Sequence, residues 1–220
     1  MGEKRCLRWY LDLEWIFERL AIEQSFRVFD SRNHPVRLGS MEFLEGHLLP
    51  SDRVLDFGCK EGVLTARLAT CCRQVVGVDV DAAAIAVARA QVRLPHVSFV
   101  EGDGVEYFRA RPGEFDVIVL SHVIEHLDDP RTLLTAAVGT CRQVYIEVPD
   151  FERTYLNAFR SQLRSRLIYS DRDHVWEFDR RELRELVSAS GLEVRDEEAR
   201  HGMIRFWCDA APPPDQVSIR

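Results

Sequence analysis

No CxxC pair occurs in the chain, although it holds six cysteines: Cys6, Cys59, Cys71, Cys72, Cys141 and Cys208. Thiols scattered in this way behave as small buried apolar side chains in a reducing compartment, so neither a disulfide framework nor a thiolate metal site is expected. Also missing is any apolar run near the roughly 20 residues of a helical membrane span, which excludes insertion in a bilayer by that route. The opening MGEKRCLRWYLDLEW places charges where a signal peptide needs an apolar core, so a cytoplasmic location is expected. Net positive charge is lacking too. Against 36 acidic residues stand 29 lysines and arginines, a balance of −7, which disfavours general attraction to nucleic acid and leaves only a local basic patch for that purpose.

Two familiar nucleotide loops are absent. A dinucleotide fingerprint needs glycines two and five positions after Gly58, where the chain has Lys60 and Val63, and no GxxxxGK[ST] loop is found. Nicotinamide and P-loop chemistry are thereby disfavoured. Ser121 is not set in a GxSxG elbow, which removes it as a hydrolase nucleophile.

What is present is an alternation of strand and helix patterns. A leading amphipathic helix is expected over Trp9–Arg27, packing as a cap, and a second around Ser40–Leu49, ended by Pro50. Strand patterns follow at Arg53–Phe57, Gln74–Val78, Val97–Val100, Asp116–Leu120 and Gln143–Val148. Helical patterns lie at Val63–Thr70, Asp81–Val92, Arg131–Gly139 and Arg180–Ser190. Such alternation implies an α/β domain, doubly wound, with a mostly parallel sheet covered on both faces. The last two β-like runs, Leu192–Glu197 and Met203–Asp209, have no helix between them and suggest an antiparallel hairpin, making seven strands. The expected organisation is a helical cap at residues 1–50, a main domain at 51–210 with an insertion at 150–179, and a loose Pro-rich tail at 211–220.

Asp56-Phe-Gly-Cys-Lys-Glu-Gly62 sits between a buried strand and a helix, where glycine lets backbone approach a ligand closely. Asp79 ends the next strand, placed for its carboxylate to accept from both hydroxyls of a ribose; the competing role of helix cap suits Asp81 better. Asp103 follows the third strand, placed either to reach an adenine amino group or to serve as a plain turn residue. These motifs resemble the class I S-adenosylmethionine methyltransferases, Rossmann-like proteins, over most of Arg53–Asp209. The resemblance implies that Asp56, Gly58, Cys59 and Gly62 surround the methionine part of the cofactor. By the same likeness Asp79 and Val80 hold the ribose side, Gly102, Asp103 and Gly104 the adenine, and Ser121 the end of the fourth strand. Lys60 departs from the family, which has a glycine there; a strained or crowding lysine would weaken the cofactor, and a noncatalytic adenosyl-binding module is the reading it encourages.

After the fourth strand comes Ser121-His122-Val-Ile-Glu125-His126, at the edge where doubly wound folds bind ligands. If helical, His122, Glu125 and His126 share one face. HxxEH is also a zinc-protease pattern, but there it lies on a long helix and here it leaves a strand. A Glu-His pair at this place resembles the ubiquinone-pathway O-methyltransferases. The small-RNA 3′-terminal 2′-O-methyltransferases are similar as well, with ExxEH and a further histidine holding a divalent metal; here His122 replaces the first glutamate and His174 is the downstream candidate. A metal set of His122, Glu125, His126 and His174 is therefore one expectation, and ordinary packing histidines the other. Should the acceptor be a hydroxyl, His174 is the first candidate base, followed by His126 and His122. Asp128 and Asp129 before Pro130 read as a turn and a helix cap.

The insertion carries Phe151, Tyr155, Phe159, Tyr169, Trp176 and Phe178, and five arginines: Arg153, Arg160, Arg164, Arg166 and Arg172. Either these line a solvated face or some bind a phosphate or carboxylate of the acceptor. The combination of Glu147-Val-Pro-Asp150, Asp173-His-Val-Trp-Glu-Phe178 and Leu183-Arg-Glu-Leu-Val-Ser-Ala-Ser-Gly191 also resembles bacterial methyltransferases that decorate sugars, lipids or secondary metabolites. O-methylation of a small, anionic acceptor is the resulting expectation, with RNA ends as the alternative partner.

Overall fold

The computed structural model describes residues 2–30 and 33–210. Alternating strand and helix patterns build β1 (Arg53–Phe57), α3 (Val63–Leu68), β2 (Gln74–Asp79), α4 (Ala82–Gln91), β3 (Val97–Glu101), α5 (Gly104–Arg109), β4 (Val117–Ser121), α6 (Pro130–Ala137) and β5 (Gln143–Pro149). Ahead of them lie α1 (Glu3–Val28) and α2 (Pro35–Glu45); after them come α7 (Leu156–Gln162), α8 (Arg180–Ala189), β6 (Glu193–Arg200) and β7 (Met203–Asp209). The strands form one sheet in the order β3-β2-β1-β4-β5-β7-β6. The first five are parallel, and β7 runs antiparallel between β5 and β6.

Side chains alternate across this sheet, and both faces are dry. Leu55, Val78, Ile118, Leu120, Ile146 and Phe206 pack toward α5, α6 and α8. Their neighbours Val54, Val75, Val117, Val119, Tyr145 and Trp207 pack toward Met41 and Leu44 of α2 and Leu68 of α3. That two-sided burial is why the strands read as nearly continuous apolar runs. Helix starts follow side-chain caps: Asp81 accepts from Ala83 and Ala84 amides, Asp129 from Thr132, and Asp179 and Glu182 form a reciprocal capping box on α8.

The second helix is displaced from its expected position. It begins at Pro35 and ends at Glu45, because proline's fixed φ and missing N–H suit the first helical turn, whereas apolar spacing alone had favoured Ser40–Leu49. Two helices not expected from periodicity, α5 and α7, are 6 and 7 residues long and contain the weak helix formers Gly104, Asn157 and Ser161.

α1 does not lie on the sheet; it docks on the insertion. Arg160, fully buried, donates to the Leu11 carbonyl at 3.1 Å and pairs with Glu14. Arg153 grips Glu18 through two bonds of 3.2 and 2.8 Å, and Ser165 donates to Asp12. Among the described residues no helix is long and apolar enough to cross a membrane. The expected tail at 211–220 lies outside the described residues.

Candidate active site

The loop after β1 turns at Gly58 (φ 71°), Lys60 (φ 47°) and Gly62 (φ 75°). Left-handed backbone costs a lysine more than a glycine, yet the turn is intact: the Lys60 amide donates to Asp79 Oδ2 at 2.8 Å, and the Gly58 amide to the Val78 carbonyl at 2.8 Å. Lys60 is thus strained, as expected, and its side chain is exposed. A Cβ on Gly62 would come within 2.7 Å of the Phe99 ring, so the loop is pressed onto β3 as well.

Asp79 Oδ1 accepts from the Asp81 amide at 2.9 Å, so each carboxylate oxygen is held by one backbone amide and keeps lone-pair capacity facing outward. Val80 beside it is 75% exposed, and a Cβ on Gly102 would meet nothing within 4 Å. An oriented half-exposed carboxylate, an apolar side chain and open backbone form a surface that fits an adenosine. Asp56 and Asp103 also hold the loops around this surface. Asp56 is buried under the loop and accepts from the Thr65 hydroxyl at 2.5 Å, which positions the start of α3. Asp103 Oδ1 caps α5 through the Val105 and Glu106 amides, at 2.7 and 3.1 Å, and the side chain is exposed. Cys59 is buried, and burial pushes its thiol well above the ordinary range, so it packs and does not react. Gly104 packs its backbone on the Phe57 ring.

β4 ends in Ser121 and then in His122 at φ 54°, followed by a single 3-10 turn, Ile124–His126. His122 is therefore not on a helical face with Glu125 and His126; a one-turn element is too short to include it. Its Nδ1 lies 3.1 Å from Glu125 Oε1 and its Nε2 3.7 Å from Glu147 Oε1. Burial disfavours the charged imidazole, but the Glu125 bond and the Glu147 charge outweigh it and raise the pKa.

His126 and His174 face each other, ring centroids 4.7 Å apart. Glu125, His126 and His174 each bring one ligand atom within 4.8 Å of the others, and His122 stands outside this triad. His126 Nδ1 faces the Asp173 carbonyl at 3.1 Å, so it is the N–H, leaving the Nε2 lone pair free; His174 Nδ1 lies 3.0 Å from Glu177 Oε1 with the same result. Glu125 is 1% exposed, and its Oε2 has no hydrogen-bond partner. The Val175 and Trp176 amides donate to the Glu125 carbonyl, and Trp176 Nε1 to that of Leu127, which clamp the insertion onto the turn.

A second polar group under the site was not expected from the sequence. Glu147 on β5 accepts from Arg205 Nε on β7 at 2.6 Å, from Ser40 at 2.6 Å, from Ser121 at 2.9 Å and from Tyr145 at 3.0 Å, all buried or nearly so. Burial would raise its pKa, but His122 and Arg205 hold it below the usual carboxylate value. The signal was there: an arginine inside the apolar run Met203–Asp209 and a glutamate inside Gln143–Pro149 have to meet a partner once buried.

A doubly wound sheet with a tight glycine loop after β1, an acid at the end of β2 and, unlike a plain dinucleotide-binding fold, β7 running antiparallel between β5 and β6 is the arrangement of the class I S-adenosylmethionine-dependent methyltransferases. Residues 32–197 match the family model described as a methyltransferase domain, and the chain belongs to that family. Ubiquinone biosynthesis O-methyltransferase of Cronobacter sakazakii is 33% identical over 144 residues, which cover 61% of this chain and 58% of that protein. The protein of the same name from Aromatoleum aromaticum is 31% identical over 117 residues, 50% and 47% of the two chains. The chain thus spans about half the length of the curated relatives it matches. Among solved structures, a SAM-dependent methyltransferase from Archaeoglobus fulgidus superposes with a TM-score of 0.60 at 17% identity, covering 86% of this chain and 98% of that one. Magnesium protoporphyrin IX methyltransferase from Synechocystis with bound SAH gives 0.59 at 16%, covering 88% and 93%. At those identities the likeness carries the fold alone.

Proposed function

We propose that this methyltransferase moves a methyl group from S-adenosylmethionine to a hydroxyl of a small acceptor, with His174 receiving the proton. The observation that carries it is the orientation of His174. Its Nδ1–H is fixed by Glu177, which leaves the Nε2 lone pair to accept, and His174 both packs against His126 and lines a cavity of about 930 Å³. The names of the relatives, O-methyltransferases of ubiquinone biosynthesis, support oxygen as the acceptor atom. S-adenosylmethionine supplies a methyl already activated on a sulfonium, so the protein has mainly to align donor and acceptor and exclude water. Asp79 and the Gly58 loop hold the adenosyl side, and the clamp of Val175 and Trp176 onto Glu125 closes the insertion over the carboxyl end of β4.

The unpartnered Glu125 Oε2 favours a second reading of the same histidines. A carboxylate and two imidazoles with fixed Nδ1–H groups form a donor set suited to a divalent cation, and Glu177 and the Asp173 carbonyl hold those imidazoles from behind. A cation there would supply Lewis-acid activation of an acceptor hydroxyl, with a ribose at an RNA 3′ end as the alternative substrate. His174 Nε2 would then be a ligand, not a base.

Transfer of label from methyl-tritiated S-adenosylmethionine to a panel of phenols, sugars, lipids and RNA ends separates these readings, with protein treated with EDTA as a second arm. Labelling of a small hydroxyl acceptor that survives EDTA and falls on the order of a hundredfold in His174→Ala supports the base role. Loss with EDTA and recovery with a divalent metal moves His174 to the ligand role. Cofactor binding without labelling of any acceptor leaves a noncatalytic adenosyl-binding module.

A further inference from the structure

We infer that the cavity between α1 and the 163–175 segment is the acceptor's seat, and that it takes a molecule carrying a phosphate or carboxylate held by Arg166 and Arg172. This rests on the methyltransferase reading above and names the substrate class for it. At about 930 Å³ the cavity lies within the roughly 300–1,000 Å³ of small-molecule sites. Trp15 and Arg19 of α1 form one wall; Arg166, Tyr169, Arg172 and His174 are on the other. His174 thus belongs both to this wall and to the pair with His126 at the end of β4, so a molecule seated here presents one end to the place where the methyl group arrives.

Charge decides what the remainder of that molecule carries. Three guanidinium groups face two carboxylates in the cavity wall, Glu23 and Asp171, although the whole protein has a balance of −7. Arg19 occupies both acids, at 3.3 Å from Glu23 and 3.4 Å from Asp171, and also donates to the Ser170 carbonyl. Elsewhere in and beside the insertion, arginines are matched to acids: Arg153 to Glu18, Arg160 to Glu14, Arg180 to Asp150. Among the described residues no acid or carbonyl accepts from the guanidinium of Arg166 or of Arg172. Two such forks on one cavity wall suit the oxygens of a phosphate or carboxylate. Trp15 and Tyr169 offer ring faces for an apolar or planar body between the anion and the reacting hydroxyl.

Phenyl phosphate and benzoate are the probes, with benzyl alcohol as the neutral counterpart, titrated calorimetrically into the full chain saturated with S-adenosylhomocysteine. We expect saturable binding of at least one anion, weakened on the order of tenfold or more in Arg166→Gln/Arg172→Gln and unchanged in Arg164→Gln, whose side chain is outside the cavity wall. The better of the two anions tells whether phosphate or carboxylate is the natural group. Equal anion affinity in wild type and double variant overturns the proposal, as does benzyl alcohol binding as tightly as either anion, or no saturable anion binding at all. S-adenosylhomocysteine affinity in the same variants shows that the fold is kept. Should the wild type bind phenyl phosphate and not S-adenosylhomocysteine, the methyltransferase reading fails and the anion site remains.

Discussion

At the scale of single residues, two buried ionisable groups set measurable properties. Burial pushes the Asp56 carboxyl up to about 7 from 3.8, against the Thr65 bond and with the Asp79 charge adding to the rise. The folded protein therefore holds a proton on Asp56 between those values when the unfolded chain does not. Stability from this group is full below about pH 4 and is lost as the pH rises through about 7. Urea unfolding at pH 4.5 and 7.5 should show the wild type losing stability relative to Asp56→Asn across that interval, by a few kcal/mol at most. A difference between the two that does not change with pH would remove burial as the cause. Arg205 is the second case. Arg205→Met leaves Glu147 buried with three hydroxyl partners and only the His122 imidazole, 3.7 Å away, to balance its charge, at a cost of about 3–5 kcal/mol. The double variant Arg205→Met/Glu147→Leu should recover most of that loss in the same unfolding assay, since it removes both charges together.

At the scale of elements, the five parallel strands, the hairpin and the helices α3, α4, α6 and α8 of the main domain were legible because each carries an apolar period, a cap or a fixed place in the strand–helix alternation. Asp81 and Asp129 marked helix starts in the sequence as clearly as they do in space, whereas the Asp179 capping box emerged only from the structure. α5 and α7 were not read: α5 opens on Gly104 and α7 carries Asn157 and Ser161, weak helix formers that hid two short segments. The loop around Gly58 and the acid Asp79 were read from local spacing. The Glu147–Arg205 pair was not, because its partners stand 58 residues apart and meet only through antiparallel pairing of β5 with β7. The same distance hid the docking of α1: periodicity indicated an amphipathic helix, but its partner, Arg160, lay among five arginines of which any could have been solvated. That assignment is testable. Arg160→Ala deletes the donor to the Leu11 carbonyl and leaves Glu14 unmatched, so amide exchange in α1 should speed up while β1, β4 and β5 keep their protection. Uniform loss of protection would mean that α1 is part of the global folding unit instead of a separately docked cap.

At the scale of the whole molecule, the sheet carries the site as a row of strand ends, and its loops are held by one another more than by the core. Asp79 ties β2 to the Gly58 loop, Gly102 bonds back to the Asp79 carbonyl, and the insertion hangs from the backbone of Glu125. A cofactor lying across these ends bonds to loops that the unfolded chain cannot arrange, so its binding free energy adds to the stability of the entire domain. At a concentration 100 times its dissociation constant, S-adenosylhomocysteine should stabilise the fold by about 2.7 kcal/mol. For a domain of this size that is a rise in Tm of roughly 5–10 °C. Asp79→Ala removes the carboxylate we assign to the ribose and also frees the Lys60 and Asp81 amides, and in scanning calorimetry it should lose most of that rise. Its own Tm without ligand should change far less, because Asp79 is half-exposed and bonds only to amides at the loop. If the variant responds to S-adenosylhomocysteine as the wild type does, the acid at the end of β2 does not hold the ribose, and the cofactor must be sought along another edge of the sheet.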